Sequence, residues 1–172
     1  MIKEWPRGDT LRSKKKIRRK VKSTVRRINR SLREDVFGDR FWIETSISRD
    51  VYEQHMPCMV LQPLVENSIS HGVGTLISGG WITIRAFRED SRVVMEVTDN
   101  GNGMSEEQIH AMYESLKNGD DYSKHIGIRN IYRRLQLFYN NDVNLTLQSQ
   151  NPGLCIRISV PLCMQKESGN MV

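Results

Sequence analysis

The stretch LQPLVENSISHG, residues 61–72, combines a helical apolar stripe with acidic and amide side chains. Four apolar residues share one helix face by their spacing of three and four: Leu61, Leu64, Val65 and Ile69. This spacing predicts a helix that ends at Gly72. Glu66 and Asn67 carry the hard oxygen atoms that Mg²⁺ prefers, and Mg²⁺ is usually shared with substrate phosphates. The alternative is a solvated polar face, with His71 as a surface histidine.

A second polar cluster follows a β-hairpin. The alternating runs WITIRAFR (residues 81–88) and RVVMEVTD (Arg92–Asp99) predict two strands joined by a short polar turn. The second strand ends in DNGNGM, residues 99–104. The Asp99 carboxylate can accept a hydrogen bond from an exocyclic amine, while Gly101 and Gly103 allow the backbone to approach a flat ligand closely. The alternative is an ordinary turn that ends a strand.

The third cluster is the glycine-led segment HIGIRNIYRRL, residues 125–135. A helix over residues 127–139 would leave free N–H groups and a positive dipole end beside Gly127. That arrangement binds phosphate, and Arg129 adds a fixed positive charge. The alternative is a glycine helix boundary followed by a basic amphipathic helix.

The remaining periodic segments complete an α+β pattern. Strands are predicted at residues 41–48, 143–149 and 154–161, and a helix at residues 105–116. Ser105 and Gln108 have the spacing of a capping box at the start of that helix. Strands and helices do not alternate regularly along the chain. The order therefore predicts a two-layer fold, with one mixed sheet covered on one face by helices.

A basic arm precedes this pattern. The 172 residues have a net charge of +6, but residues 1–35 carry fourteen Lys/Arg against four Asp/Glu, so this segment is +10 and the remainder −4. Residues 11–35 are predicted to form one helix with a narrow apolar stripe: Ile17, Val21, Val25, Ile28 and Leu32. Such a stripe pairs with another helix, as in a homodimer, or lies against its own domain. Aromatic side chains do not alternate with these charges and no recognised DNA-binding motif accompanies them, so nucleic-acid binding is not expected.

Composition narrows the class of protein. A chain with 38% hydrophobic and 27% charged residues is typical of a soluble globular protein. No apolar run approaches the roughly 20 residues that a membrane-spanning helix needs, and the first residues lack the apolar core of a signal peptide. The three cysteines show no metal-ligand spacing, which favours reduced thiols in a cytoplasmic protein.

The three clusters in this order resemble the N box and the two glycine boxes of the Bergerat-fold (GHKL) ATPases. Within that superfamily, LQPLVENSISHG is similar to the N box LQPLVENAIxHG of LytS/YesM-type sensor histidine kinases. The segments VFGDRF (residues 36–41) and HIGIRNIYRRL are similar to the RFGDRF and GIGLRNVxERL of the same family. The resemblance covers roughly residues 37–161.

The resemblance implies a kinase that uses ATP and Mg²⁺. Asn67 would coordinate Mg²⁺, Glu66 would sit beside the metal and the γ-phosphate, and Asp99 would bind the adenine amino group. Residues 105–126 would form a mobile lid. The complete implied nucleotide site is Asn67, Ser70, His71, Asp99, Gly101, Gly103, Met104, Ile126, Gly127, Ile128, Arg129 and Asn130, with Glu66 and Asn67 as the catalytic pair.

The resemblance also implies partners and an organisation of the chain. The expected segments are a basic helix or linker at 1–36, a catalytic domain at 37–164 and a flexible tail at 165–172. Catalysis would transfer the γ-phosphoryl group to a histidine on an upstream dimerisation hairpin, and from there to a response regulator. The domain would be cytoplasmic, in a homodimeric, membrane-anchored protein. The predicted 11–35 helix contains no histidine that could be the acceptor.

Three positions depart from the family pattern. Ser70 stands where lysine is frequent, Leu154 stands where a threonine hydroxyl is common, and Lys124-His125 replace the first glycine of the second glycine box. These departures keep two alternatives open. One is a regulatory nucleotide-binding or interaction module without phosphotransfer, and the other is a different GHKL ATPase.

Overall fold

The computed structural model describes residues 15–34, 40–57, 60–118 and 126–162. The helices and strands in chain order are β1 (Lys15–Lys16), α1 (Ile17–Glu34), β2 (Phe41–Ile47), β3 (His55–Met56), α2 (Leu61–Asn67), β4 (Gly80–Glu89), β5 (Arg92–Asp99), α3 (Glu106–Asn118), α4 (Ile126–Phe138), β6 (Asn144–Gln150) and β7 (Gly153–Pro161). The predicted strands and helices thus lie within a few residues of their observed positions. The short strands β1 and β3 were not predicted.

Five strands form one mixed sheet in the order β2-β4-β5-β7-β6. Strand β2 pairs with β4 in parallel, and the other neighbours are antiparallel. The predicted hairpin of β4 and β5 is confirmed, with its turn at Asp90 and Ser91. The predicted α+β class with a mixed sheet is therefore confirmed.

The sheet buries alternate side chains on the face that the helices cover. Ile82 and Ile84 of β4 are fully buried, whereas Arg85 between Ile84 and Ala86 is exposed. The buried face also includes Val93, Met95, Val97, Ile156, Ile158 and Val160. Helices α2 and α4 supply the opposing layer through Leu61, Leu64, Ile128, Ile131 and Leu135. Each fully buried aliphatic side chain contributes about 1.5–3 kcal/mol, so this layer dominates the stability of the fold.

The start of α1 is held by the segment that precedes α2. Lys15 and Lys16 are extended and pair with Met56 and His55, and the Ile17 N–H donates to the Gln54 carbonyl at 2.8 Å. The helix therefore begins at Ile17. The expectation of a helix from residue 11 is wrong at both lysines, because their backbone groups are used in this strand pairing. Residues 11–14 lie outside the described residues.

The apolar stripe of α1 is buried against the rest of the chain. Ile17, Val21 and Ile28 belong to the same hydrophobic core as the sheet. Lys20, on the flank of the stripe, is also buried and donates from Nζ to the Pro57 carbonyl at 2.9 Å. The structure therefore supports the second interpretation of the stripe, in which the helix lies against its own domain. The homodimer stays a prediction that this buried stripe does not support.

Helix α3 begins with the predicted capping box. The Ser105 N–H donates to Gln108 Oε1 at 2.8 Å, and the Gln108 N–H donates to Ser105 Oγ at 3.3 Å. Two of the free N–H groups at the helix start are thereby paired. The capping box is confirmed, and the helix runs two residues beyond its predicted end.

Two further sequence observations concern membranes and thiols. Among the helices that the structure describes, none is both long and apolar enough to cross a bilayer. Cys155 on β7 is a buried free thiol, and burial raises its pKa. Cys58 and Cys163 lie outside the described residues.

Candidate functional site

Helix α2 changes its winding in the middle of the polar cluster. The α-helical hydrogen bonding ends at Asn67, and a π-helical turn (Ser68–Gly72) and a 3₁₀ turn (Val73–Thr75) follow. The predicted continuous helix is therefore wrong after Asn67. Such π-turns inside helices occur frequently at functional sites. Here the wider turn buries Ser68 and leaves Ser70 and His71 exposed.

The two residues expected to act on metal and phosphate lie at the solvent side of α2. Asn67 is half-buried and Glu66 is exposed. One turn earlier, Gln62 Nε2 donates to Glu66 Oε1 at 2.5 Å. A carboxylate and an amide oxygen on adjoining residues are hard ligands, so this pair fits Mg²⁺ that is shared with a triphosphate. The described residues include no group of three His, Cys, Asp or Glu side chains that would hold a metal without a substrate.

The Asp99 carboxylate is buried at the end of the central strand β5. The residue is 2% exposed, and its Oδ1 accepts the Gly101 N–H at 3.0 Å. Burial raises the pKa of Asp99, because a low-dielectric environment disfavours the charged form. The Ser68 hydroxyl and the N–H groups of Gly101 and Leu154 act in the opposite direction and favour the ionised form. The result is a carboxylate whose charge is only partly compensated by the protein.

The N-box turn and the glycine turn are in direct contact. A Cβ atom placed on Gly72 would lie 2.7 Å from Asp99 Oδ1. A Cβ placed on Gly101 would lie 2.2 Å from the Gly72 carbonyl carbon. Only glycine permits this approach, since real Cβ contacts are never so short. Ser68, which follows Asn67 directly, faces Asp99. The structure therefore brings the helix bearing Asn67 and the strand end bearing Asp99 together.

A second close contact joins the glycine turn to β7. Gly103 has a φ of +68°, and a Cβ there would lie 2.6 Å from the Gly153 carbonyl oxygen. Gly153 has a φ of +112°, and a Cβ there would lie 1.8 Å from the Asp99 carbonyl oxygen. The sequence suggested that the glycines leave room for a ligand. The structure adds that they leave room for the protein's own backbone.

Asparagine and threonine side chains fix the glycine turn in place. Asn100 accepts the Trp81 N–H at 2.7 Å and donates to the Gly79 carbonyl at 2.9 Å. Asn102 donates to the Thr75 hydroxyl at 3.1 Å, and that hydroxyl donates to the Gly72 carbonyl at 2.9 Å. Sequence reasoning missed these roles, although asparagine beside glycine in a turn is a recognisable signal.

Helix α4 brings the third cluster against the first. It begins at Ile126 and packs against α2. Gly127 and Asn130 are exposed, and a Cβ on Gly127 would meet nothing within 4 Å. Ile128 and Arg129 are buried. The first-turn N–H groups beside Gly127 are thus open on one side, as a phosphate seat requires.

The remaining residues named in the sequence analysis lie partly in the core or outside the described residues. Met104 is half-buried and packs against the core. Leu154 is buried and pairs with Asp99 in the β5–β7 register, so it offers Asp99 a backbone N–H and an apolar side chain. The side chain of Ile126 and the whole of His125 lie outside the described residues. The same holds for residues 119–125, the centre of the predicted lid.

A narrow crevice lies elsewhere, where the start of α1 meets the sheet. Its lining is mainly apolar and includes Ile17, Met56, Val93, Ile158 and Val160. This lining contains no Lys or Arg side chain that could hold phosphate groups. The polar region around Asp99 and Asn67 is therefore the better candidate for a nucleotide site.

Comparison with known proteins places this geometry in a family. Residues 52–163 match the family described as histidine kinase-, DNA gyrase B-, and HSP90-like ATPase. Sensor protein LytS of Oceanobacillus iheyensis is 33% identical over 122 residues, which are 69% of this chain and 21% of that protein. Sensor protein kinase HptS of Staphylococcus aureus is 31% identical over 127 residues, 73% of this chain and 24% of that protein.

Solved structures have the same fold. The catalytic domain of histidine kinase ThkA has a TM-score of 0.64 at 12% identity, over 87% of this chain and 95% of that one. ThkA in complex with the response regulator protein TrrA also gives 0.64, at 11% identity, over 88% of this chain and 42% of that one. The chain spans between a fifth and a quarter of the length of LytS and HptS. The family resemblance seen in the sequence is confirmed: the chain belongs to the histidine kinase-, DNA gyrase B- and HSP90-like ATPases, as a catalytic domain of the histidine kinase type.

Proposed function

We propose that this domain binds ATP with Mg²⁺ and transfers the γ-phosphoryl group to a histidine on an upstream dimerisation segment of a two-component sensor. The observation that carries the proposal is the contact between the N-box turn and the buried Asp99 carboxylate. Through this contact Asp99, the proposed acceptor for the adenine amino group, lies next to the turn that follows Glu66 and Asn67, the two residues proposed to act on the metal and the phosphate. The proposed full-length context is a homodimeric, membrane-anchored sensor, with this domain in the cytoplasm and a response regulator as its partner.

Each proposed role follows from the position of a side chain. Asp99 accepts the adenine amino group, and the exposed Glu66 carboxylate orients the attacking imidazole and accepts its proton. The Asn67 amide oxygen is the proposed ligand for Mg²⁺, which when bound neutralises phosphate charge. Gly127, Arg129 and the α4 N–H groups hold the phosphate chain. Phosphoryl transfer needs mainly positioning and charge neutralisation, so this set of groups is sufficient.

The other residues of the proposed site line the nucleotide. His71 and Ser70 are exposed on the turn after Asn67. His71 is proposed to lie near the ribose and adenine, and Ser70 stands at the position where lysine would contact a phosphate in the resembling family. Met104 packs beside the adenine slot. The remaining members, on the turn and on α4, are Gly101, Gly103, Ile126, Ile128 and Asn130.

Titration with Mg-ATP tests the adenine assignment. The Asp99→Asn variant keeps the shape of the side chain but presents an N–H₂ group where an acceptor is needed. We expect wild-type protein to bind and the variant to lose about 5- to 150-fold in affinity, because an unpaired buried polar group costs about 1–3 kcal/mol. Glu89→Gln, an exposed carboxylate at the far end of β4, is the matched control. Equal affinities of wild type and Asp99→Asn would refute the assignment.

A second candidate function is a regulatory module that holds nucleotide without transferring phosphate. The observation that favours it is Leu154, which places an apolar side chain beside Asp99 where a hydroxyl is common in the resembling family. A phospho-acceptor hairpin supplied in trans with γ-labelled ATP separates the two. Acid-labile label on the hairpin supports the kinase, and its absence despite nucleotide binding supports the module.

A further inference from the structure

The outer side of α1 carries a dense group of positive charges. Residues 16–28 contain seven Lys/Arg and no Asp/Glu. Five of these cations are exposed and together form what we call the cationic face: Arg18, Arg19, Lys22, Arg26 and Arg27. Arg19, Lys22 and Arg26 follow one another at spacings of three and four, so they form one row along the helix. This row is about 10 Å long.

The protein neutralises little of the charge on the cationic face. Glu53 forms an ion pair with Lys16, which lies outside this face. Lys16 and, more weakly, Arg19 lower the pKa of Glu53, so that carboxylate is ionised but already paired. Arg18 lies over the Tyr52 ring at 5.0 Å, a contact that leaves its charge in place. Among the described residues, no acidic side chain forms a salt bridge with any of the five cations.

The buried side of α1 fixes the direction in which the cationic face points. Ile17 and Val21 lie in the common hydrophobic core, and Lys20 Nζ donates to the Pro57 carbonyl at 2.9 Å. The helix therefore cannot rotate without breaking the core. The cationic face is thus a fixed surface of the domain, able to present all its charges to one partner at once.

The composition of the cationic face indicates which kind of anion it fits. Its other exposed side chain is Ser23, while Val25 packs against the core. Protein–protein interfaces have an apolar centre, which this face lacks. Binders of single-stranded nucleic acid stack bases on aromatic side chains, which this face also lacks. Anionic lipid headgroups need only charge, and four to eight Lys/Arg on one helix face are typical of their recognition.

We propose that the cationic face of α1 docks on the surface of a bilayer that contains anionic phospholipids. Attraction between the row of cations and the headgroups holds α1 along the bilayer surface. Because α1 is part of the core, the whole domain takes one orientation relative to the lipid. The docking does not involve nucleotide, so its failure would leave the proposed function untouched.

Cosedimentation of the full chain with vesicles tests this proposal. The anionic vesicles contain equal parts of phosphatidylserine and phosphatidylcholine, and the neutral vesicles contain phosphatidylcholine alone. We expect the chain to bind only the anionic vesicles, and less as salt is added, because salt screens exposed charges. Each cation near such a surface strengthens partitioning about fivefold. Lys22→Gln should therefore weaken binding about fivefold and Lys22→Gln/Arg26→Gln about 25-fold.

Two single variants serve as matched controls. Arg85→Gln removes one exposed charge from the face of the sheet opposite the helices. It should change vesicle binding by less than about twofold, because the domain separates it from the lipid by more than the Debye length of ~8 Å. Lys22→Arg keeps the charge and should keep the affinity. Thermal unfolding of each variant shows whether it folds like the wild type.

Three results would overturn the proposal. The first is equal binding to neutral and anionic vesicles. The second is a folded Lys22→Gln/Arg26→Gln variant that binds anionic vesicles as tightly as the wild type. The third is tighter binding to a DNA duplex than to anionic vesicles, lost in the double variant, which would assign the cationic face to nucleic acid.

Discussion

At the scale of single residues, the site contains two buried polar groups, each of which lowers the stability of the folded protein. Asp99 is a partly compensated carboxylate in the interior, and Ser68 is a buried hydroxyl without a normal partner. Groups of this kind are common where a ligand completes the hydrogen bonding. Asp99 could be recognised from the sequence because it ends a hydrophobic strand before glycines. Ser68 could not, because its burial depends on a π-turn that residue spacing does not reveal.

The first prediction concerns the dependence of stability on pH. Burial raises the pKa of Asp99 above its unfolded value, so ionisation of Asp99 is less favourable in the folded protein. Its contribution to stability is greatest below the unfolded pKa and is lost as the pH rises through the raised pKa. We therefore expect Asp99→Asn to raise the Tm of the nucleotide-free protein at pH 7, while it weakens nucleotide binding.

Thermal unfolding at several pH values checks this prediction. The gain in Tm of Asp99→Asn over wild type should shrink as the pH falls into the range where Asp99 is protonated. Glu89→Gln, with an exposed carboxylate, should show no comparable gain. A wild-type protein that is more stable than Asp99→Asn at pH 7 would contradict this account of the carboxylate.

The second prediction concerns the glycines. In Gly101→Ala the new methyl would lie 2.2 Å from the backbone of Gly72, so the two turns must separate. We expect a loss of about 1–3 kcal/mol or more in the free energy of unfolding, together with weaker nucleotide binding. Gly127→Ala is the matched control, since its methyl would meet open space. In urea titrations a Gly101→Ala variant as stable as Gly127→Ala would show that the turns are not in contact.

At the scale of elements, the strands and the helix caps were accessible to sequence reasoning because they depend on local patterns. Strand β5 has the predicted bounds, and the capping box of α3 forms as expected. The extended pair Lys15–Lys16 was not accessible, since two lysines show no strand pattern and owe their pairing to His55 and Met56. The same holds for the end of α2. Its sequence continues with helical spacing, whereas tertiary contacts with the glycine turn widen the winding.

The third prediction concerns the packing of α1. Ile17 is fully buried in the common core, whereas Lys22 on the same helix is exposed. We expect Ile17→Ala to lower the free energy of unfolding by about 2–5 kcal/mol, the usual cost of removing a buried isoleucine side chain. Lys22→Ala should change it by less than about 0.5 kcal/mol. A single cooperative urea transition that Ile17→Ala leaves unshifted would show that α1 is not part of the core.

At the scale of the whole molecule, the two sides of α1 differ in packing and charge. The buried stripe joins α1 to the sheet, and the outer side presents exposed cations such as Arg19, Lys22 and Arg26. Residue spacing alone does not distinguish a helix that pairs with another chain from one that lies on its own domain, because both need the same apolar spacing. The choice depends on the position of the partner surface, which only the three-dimensional fold supplies.

That choice leads to the last prediction, on the state of association. The described stripe residues Ile17, Val21 and Ile28 are buried within one chain and are not available to a second copy. A row of exposed cations also repels its equivalent on another molecule. We therefore expect this 172-residue chain to sediment as a 20.0 kDa monomer, at high protein concentration and with or without nucleotide. Sedimentation equilibrium over a hundredfold range of concentration measures this directly. A dimer that Val21→Asp dissociates into folded monomers would reverse the conclusion, because it would place the stripe between two chains. A dimer that the variant leaves intact would put the contact on another surface.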